Sequence, residues 1–209
     1  MLRFEGLCKT YGQRAIFHNA RLNLSTGVYA LQGPNGIGKS TLLSLLASAL
    51  PADEGEIWID EISMTQAPLA ARQRLSYVPD ESPIYPFMTG RELLDFVAMA
   101  KKTPVGSDIL ALVHGFDLNM HLNTRFKAMS LGTQKKFLLC AAWIGDPRVL
   151  LLDEPSNGLD MNARRYLADL IQDKGQRDCI VFTTHDADFV SATAATILNM
   201  AQMVSPAPH

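Results

Sequence analysis

The chain predicts an α/β fold in which a mainly parallel sheet carries an inserted helical lobe, with an antiparallel β subdomain toward the N-terminus. Three observations predict it. Leu150-Leu151-Leu152 and Ile180-Val181-Phe182 are short, unbroken apolar runs, the pattern of strands buried on both faces of a parallel sheet. The glycine-rich run from Gly33 to Thr41 stands between one such strand and a strong helix former. Strand signals then disappear between Asp80 and about Asp146. A length of 209 residues suits one domain with a full core. Its expected division is an α/β core with the β subdomain over about 1–79 and 147–209, and a helical lobe over about 80–146.

The elements follow in order. The first 26 residues read as antiparallel strands, and Arg21-Leu22-Asn23-Leu24 alternates with the period of two that a half-buried strand shows. Val28 to Gln32 is a buried strand, and Leu42 to Ala47 a helix. From Val28 onward strands alternate with helices, and Glu56 to Asp60 and Leu75 to Val78 are assigned as further strands of that series. Thr89-Gly90-Arg91-Glu92 has the form of a capping box opening a helix over Leu93 to Lys101, with Glu92 placed to reach back to the cap. Helices are also expected near Ile109 to His114 and from about Thr133 to Ile144. The tail, Ser205 to His209, is expected to fray.

The run Gly33-Pro34-Asn35-Gly36-Ile37-Gly38-Lys39-Ser40-Thr41 fits the phosphate-loop pattern in the strand–loop–helix context that the pattern requires, which makes the core that of a P-loop NTPase. Its glycines let the backbone turn tightly and aim N–H groups at an anion on the helix N-terminus. Lys39 is placed to neutralise the outer phosphates and the Ser40 hydroxyl to ligate Mg²⁺. A second motif, Val149 to Pro155, is a buried strand ending in Asp153-Glu154. Paired acids there stand at the carboxyl edge of the sheet, where α/β proteins bind ligands. Asp153 is the candidate Mg²⁺ holder, and Glu154 the candidate general base for an attacking water.

Composition excludes several classes. No stretch approaches the roughly 18 apolar residues of a membrane span, and Met1 to Glu5 lacks the apolar core of a secretory signal. Cys8, Cys140 and Cys179 are odd in number and far apart, which suits reduced thiols in the cytoplasm. A net charge of −2 gives no global field toward nucleic acid, so no nucleic-acid partner is expected. The doublets Lys101-Lys102, Lys135-Lys136 and Arg164-Arg165 are expected on solvated helix faces.

With these motifs in this order, the chain resembles the nucleotide-binding domain of an ABC transporter over nearly its whole length. The resemblance implies a signature motif at the start of a helix, and Ser130-Leu131-Gly132-Thr133-Gln134-Lys135-Lys136 stands there, with Leu131 and Thr133 in place of the usual glycine and glutamine. Ser130 and Gly132 keep the small residue and N–H donors that a γ-phosphate needs, although Ser130 read alone is an ordinary N-cap. By the same resemblance Tyr11 stacks on adenine, Asp160 belongs to a loop crossing a dimer interface, and His185 contacts the γ-phosphate. Alone, the three would be a surface tyrosine, a helix cap and a structural histidine.

One departure stands out. Asp80, in Tyr77-Val78-Pro79-Asp80-Glu81, occupies the place where similar domains have a glutamine near Mg²⁺ and the permease contact. Acidic residues there, followed by Tyr85-Pro86 and the Thr-Gly-Arg-Glu stretch, resemble exporters whose ATPase and permease are separate chains, while Pro83 to Met88 reads equally as a plain proline-rich surface loop. The resemblance thus implies an ATP-hydrolysing, Mg²⁺-dependent cytoplasmic subunit. It would lie peripherally on the cell membrane, bound to an integral-membrane permease, and sandwich ATP with a second copy of itself. The rival is a non-transport ABC-type ATPase acting on nucleic acid or ribosomes. Against it, no heptad run lies between Lys39 and Ser130 and the chain has one cassette.

Overall fold

The computed structural model describes residues 1–80 and 84–202. The tail expected to fray, together with Glu81 and Pro83, lies outside them. The chain opens with a hairpin, β1 (Leu2–Tyr11) and β2 (Arg14–Leu24). There follow β3 (Gly27–Gln32), α1 (Lys39–Leu46), β4 (Glu54–Ile59), β5 (Ile62–Ser63), α2 (Pro68–Gln73) and β6 (Leu75–Val78). Three helices come next, α3 (Gly90–Lys101), α4 (Ser107–Gly115) and α5 (Leu131–Ala142). The remainder is β7 (Val149–Leu152), α6 (Met161–Lys174), β8 (Cys179–Thr183), α7 (Ala187–Ala192) and β9 (Thr196–Asn199).

Two sheets result. One is antiparallel with the order β2-β1-β4-β5, and the other has the order β6-β7-β8-β3-β9 with every pairing parallel. The expected antiparallel subdomain and parallel core are both present, with one correction. β4 does not join the core strands but lies antiparallel to β1, in the register Phe4↔Ile57. The reason is visible in its side chains: Ile57 and Ile59 are buried while Glu56 and Trp58 are half-buried, the alternation of a strand with one face in the core. The turn Asp60-Glu61 has positive φ at both residues, 50° and 66°, as a tight hairpin into β5 requires.

β7 and β8 are buried throughout, in keeping with their place at the centre of the parallel sheet. Leu150, Leu152, Ile180 and Phe182 point to one face and pack with α3 to α7. Val149, Leu151 and Val181 point to the other, against α1 and the antiparallel sheet. The layers are therefore sheet, helix, sheet, helices. The expected capping box is formed: Thr89 Oγ1 accepts the Glu92 N–H at 3.3 Å, and Glu92 Oε2 accepts the Thr89 N–H at 2.7 Å, a cap worth about 1 kcal/mol.

A second correction concerns the basic doublets. Lys135 is buried at 6% exposure, and Lys101 donates to the carbonyls of Arg72, Gln73 and Leu75. Of the six residues, Lys102 and Arg165 are exposed as expected. A lysine stem threads through apolar packing and spends its ammonium on backbone carbonyls, which the sequence pattern of a doublet does not reveal.

Candidate functional site

Because the sheet is parallel, β3, β6, β7 and β8 all end at one edge, and their following loops converge there. They form a cleft of about 410 Å³ lined by the phosphate loop, Asp80, Glu154, Asn157 and His185. The phosphate loop leaves β3 and enters α1 through Gly38, whose φ of 111° is left-handed. A Cβ at Gly38 would meet Ile16 at 2.7 Å, so both backbone conformation and space call for glycine. Ile16 and Phe17 of β2 thus brace the loop from behind, and Arg14 donates to Gly36 O at 3.4 Å. Lys39 turns back over the loop, donating to Gly33 O at 2.8 Å and Pro34 O at 3.3 Å, an ammonium held at the mouth of an anion cradle.

The acids leave β7 in a fixed arrangement. Asp153 is 4% exposed and accepts the Thr183 hydroxyl at 2.5 Å. The same hydroxyl oxygen accepts the Glu154 N–H at 2.8 Å. Thr183, fully buried at the end of β8, therefore orients both acids. Glu154 has a φ of 44°, a left-handed backbone that is uncommon outside glycine and costs on the order of 1 kcal/mol or more. It turns the carboxylate into the cleft, where His185 Nε2 lies 3.3 Å away. Burial pushes the Glu154 carboxyl above the ordinary carboxylate range, Asp153 and Asp80 add to the rise, and His185 opposes it. A carboxylate made more basic in this way is better suited to accept a proton from water.

The structure brings together Asn35, Gly36, Gly38, Lys39, Ser40, Thr41, Asp80, Glu154 and His185 around the cleft. Gly33, Pro34, Ile37 and Asp153 support it from outside the lining. Tyr11 ends β1, half exposed, with the Lys9 ammonium 5.7 Å from its ring centre. Ser130 caps α5, accepting the Thr133 N–H at 3.2 Å. Gly132 packs on the loop between β7 and α6 so tightly that a Cβ would meet Gly158 O at 2.5 Å. Asp160 caps α6 through the Ala163 N–H at 2.9 Å and pairs with Lys136 at 2.6 Å. None of Tyr11, Ser130, Gly132 and Asp160 lines the cleft of its own chain. The second groove, which shares Asp80 and Asn157 with the cleft, is lined by Leu131, Gln134 and Lys135. Asn157 and Thr183 were not singled out from the sequence, although an asparagine two residues after Pro155 and a threonine ending a buried strand were available signals; Lys135 was read only as half of a solvated doublet.

The sequence profile described as ABC transporter matches residues 17–157, two thirds of the chain. The chain belongs to the ABC transporter family. Within this family it is similar to the lantibiotic transport ATP-binding protein SrtF of Streptococcus pyogenes, 30% identical over 190 residues, 88% of this chain and 80% of SrtF. It is also similar to the linearmycin resistance ATP-binding protein LnrL of Bacillus subtilis, 28% identical over 195 residues, 88% of this chain but 61% of LnrL. Among solved structures it matches the dimeric, post-hydrolysis ATP-binding cassette MJ0796 bound to ADP and Pi, with a TM-score of 0.83 and 20% identity over 95% of this chain and 94% of that one. The ABC cassette fold is thereby shown, along with membership of a family of ATP-binding ATPases.

The residues at the cleft fit Mg²⁺. The candidate donors are hard oxygens, as that ion requires: the Ser40 hydroxyl and Asp80 carboxylate line the cleft, and the Asp153 carboxylate lies just behind it. Among the described residues no group of three or more His, Cys, Asp or Glu is arranged to hold a metal alone. Among the described residues, too, no helix is long and apolar enough to cross a membrane.

Proposed function

We propose that the chain is the ATP-hydrolysing subunit of an ABC transporter that powers a separate integral-membrane permease, and that it does so as an exporter. The observation that carries the hydrolytic reading is the convergence of Lys39, Ser40, Asp80, Glu154 and His185 on one cleft. The export reading is supported by the names of SrtF and LnrL, a lantibiotic transport and a linearmycin resistance ATP-binding protein, and by the acid at position 80. The chain acts as a single domain with its helical lobe over about 80–146. It works on the cytoplasmic face of the cell membrane, held there by the permease.

In this reading the phosphates of ATP lie on the loop amides and the α1 N-terminus, with Lys39 leaving its loop carbonyls for the outer phosphates. Tyr11 stacks on adenine. Mg²⁺ would be held by Ser40, Asp153 and Asp80, and when bound it neutralises charge on the phosphate oxygens. Glu154 takes the proton of the attacking water, and His185 holds the γ-phosphate side of the cleft. Ser130 and Gly132, turned away from their own cleft, face the γ-phosphate bound by a second copy, with Asp160 at the crossing loop. The dimeric state described for MJ0796 supports that arrangement.

The test is twofold. Purified chain should hydrolyse ATP in a Mg²⁺-dependent way, and it should co-purify from solubilised membranes with a multi-span protein encoded beside it. Hydrolysis no faster than that of Lys39→Ala, or a chain that never associates with membranes, would sink the corresponding half.

A further inference from the structure

Three acids, Asp80, Asp153 and Glu154, stand at or behind the cleft, and a buried lysine touches the chain at two of them. Lys135 lies on α5, five residues after the cap Ser130, and is 6% exposed. Its Nζ is 3.3 Å from each of the carbonyl oxygens of Pro79, Asp80 and Asp153, and 3.6 Å from Asp80 Oδ1. These contacts join three separate segments: α5, the residues that follow β6, and the end of β7.

An ammonium has three protons to donate, and here three carbonyls stand in reach to take them. The Asp80 carboxylate lies beyond hydrogen-bond distance, so its contribution is charge on charge. Burying a lysine costs free energy that such contacts must offset, whereas an apolar side chain would fill the space without that cost. Packing alone therefore does not account for a lysine here. What distinguishes the position is its company. Asp80 and Glu154 line one cleft, Asp153 lies just behind, and Asp80 also borders the groove that Leu131 and Lys135 line.

We propose that Lys135 is a positioning residue for hydrolysis: it fastens the start of α5 to the Asp80 segment and the root of the Asp153–Glu154 pair, and its charge offsets the acid at position 80. Asp80 and Lys135 then act as one unit. The lysine keeps the Asp80 carboxylate beside the cleft against the repulsion of Glu154. A shift of α5, whose tip carries Ser130, is felt at both acids through the same ammonium. This inference rests on the ATPase reading above.

The experiment is a double-mutant cycle on the full chain, comparing wild type with Lys135→Met, Asp80→Gln and Asp80→Gln/Lys135→Met. Three quantities are measured: kcat and KM for ATP with Mg²⁺, and the melting temperature without nucleotide. Lys135→Met should lower kcat about tenfold with KM altered less than about threefold, a coupling of the size seen between contacting charges. In the Asp80→Gln background the same substitution should cost clearly less, because the acid that needs offsetting is gone while the three carbonyl contacts are lost in both backgrounds. The nucleotide-free melting temperatures should be non-additive in the same sense. A Lys135→Met protein with wild-type kcat, or a loss that is equal in both backgrounds, would overturn the proposal and leave Lys135 as a packing residue. If Lys135→Met fails to fold, Lys135→Gln in both backgrounds makes the same comparison. An inactive wild type would instead sink the ATPase reading, while the melting cycle would still report the pair.

Discussion

His185 Nε2 lies 3.3 Å from Glu154 Oε1, an imidazole 58% exposed closing over a carboxylate only 12% exposed. The two come from loops after different strands, β7 and β8, which Thr183 ties together. In the proposed ATPase reading the inner carboxylate is the base and the outer imidazole the phosphate contact. Glu154→Gln should therefore bind ATP with Mg²⁺ normally and lose roughly two or more orders of magnitude in turnover, the contribution of a general base. Single-turnover hydrolysis checks it. A wild-type rate in Glu154→Gln would move the base to His185.

Lys39 is tied to Gly33 O and Pro34 O, so it straps the loop as well as supplying charge. Lys39→Ala should weaken ATP binding by about tenfold or more and abolish turnover, in keeping with the loss of a charge-assisted contact to phosphate. Titration with ATP and with AMP separates the two roles. The loss should be large for ATP and small for AMP, which lacks the outer phosphates.

Ser130 and Gly132 stand outside the cleft of their own chain. If they complete the site of a second copy, turnover per chain should rise with protein concentration. Ser130→Arg should block that rise by crowding the γ-phosphate. A rate per chain independent of concentration, in protein shown to be monomeric, would contradict the shared site.

The residues of the phosphate loop, the paired acids and His185 could be picked out because each lies in a local pattern: a run of fixed spacing, or a polar residue ending an apolar strand. The edge of the parallel sheet brings these to one cleft, whereas Ser130 and Gly132 at the start of α5 stay outside it. What was not legible depends on contacts across the chain. Lys135 looked like half of a solvated doublet, because nothing local distinguishes an ammonium in water from one held by the carbonyls of Pro79, Asp80 and Asp153. β4 reads from the sequence only as one more strand in the series after Val28, although the alternation of Glu56, Ile57, Trp58 and Ile59 already carries the signal of a strand with one face in the core. Asp160 was given two roles, and its hydrogen bond to the Ala163 N–H accounts for the cap alone.

Far from the cleft, Lys174 is 1% exposed and pairs with Asp178 and Asp146, each at 2.9 Å, while Arg148 also reaches Asp178 at 2.7 Å. Lys174→Met removes one partner and leaves a buried carboxylate with less compensation. The expected loss is about 3 kcal/mol of folding stability, read as a lower urea midpoint. ATP hydrolysis per folded molecule should not change.

Asp53 offers a test of how Tyr11 is held. Its carboxylate accepts the Lys9 ammonium and the Thr10 N–H, at 2.8 and 2.7 Å, and so fixes the two residues before Tyr11. The Lys9 hydrogen bond, then that of Thr10, holds the Asp53 carboxyl below its ordinary value of 3.8. A group whose pKa is depressed by folding contributes stability above its unfolded pKa and loses it as pH falls through the folded one. Asp53→Asn should therefore lower the melting temperature at pH 7, and the difference from wild type should shrink as the pH drops below 3.8 and vanish under stronger acid. The same substitution should weaken ATP binding through the freed Tyr11 while leaving kcat at saturation unchanged, because no group at the phosphates has moved. A stability loss with unaltered affinity would mean that the Lys9–Asp53 pair supports the hairpin but not the ring. An equal loss at pH 7 and in acid would mean that the carboxylate charge plays no part.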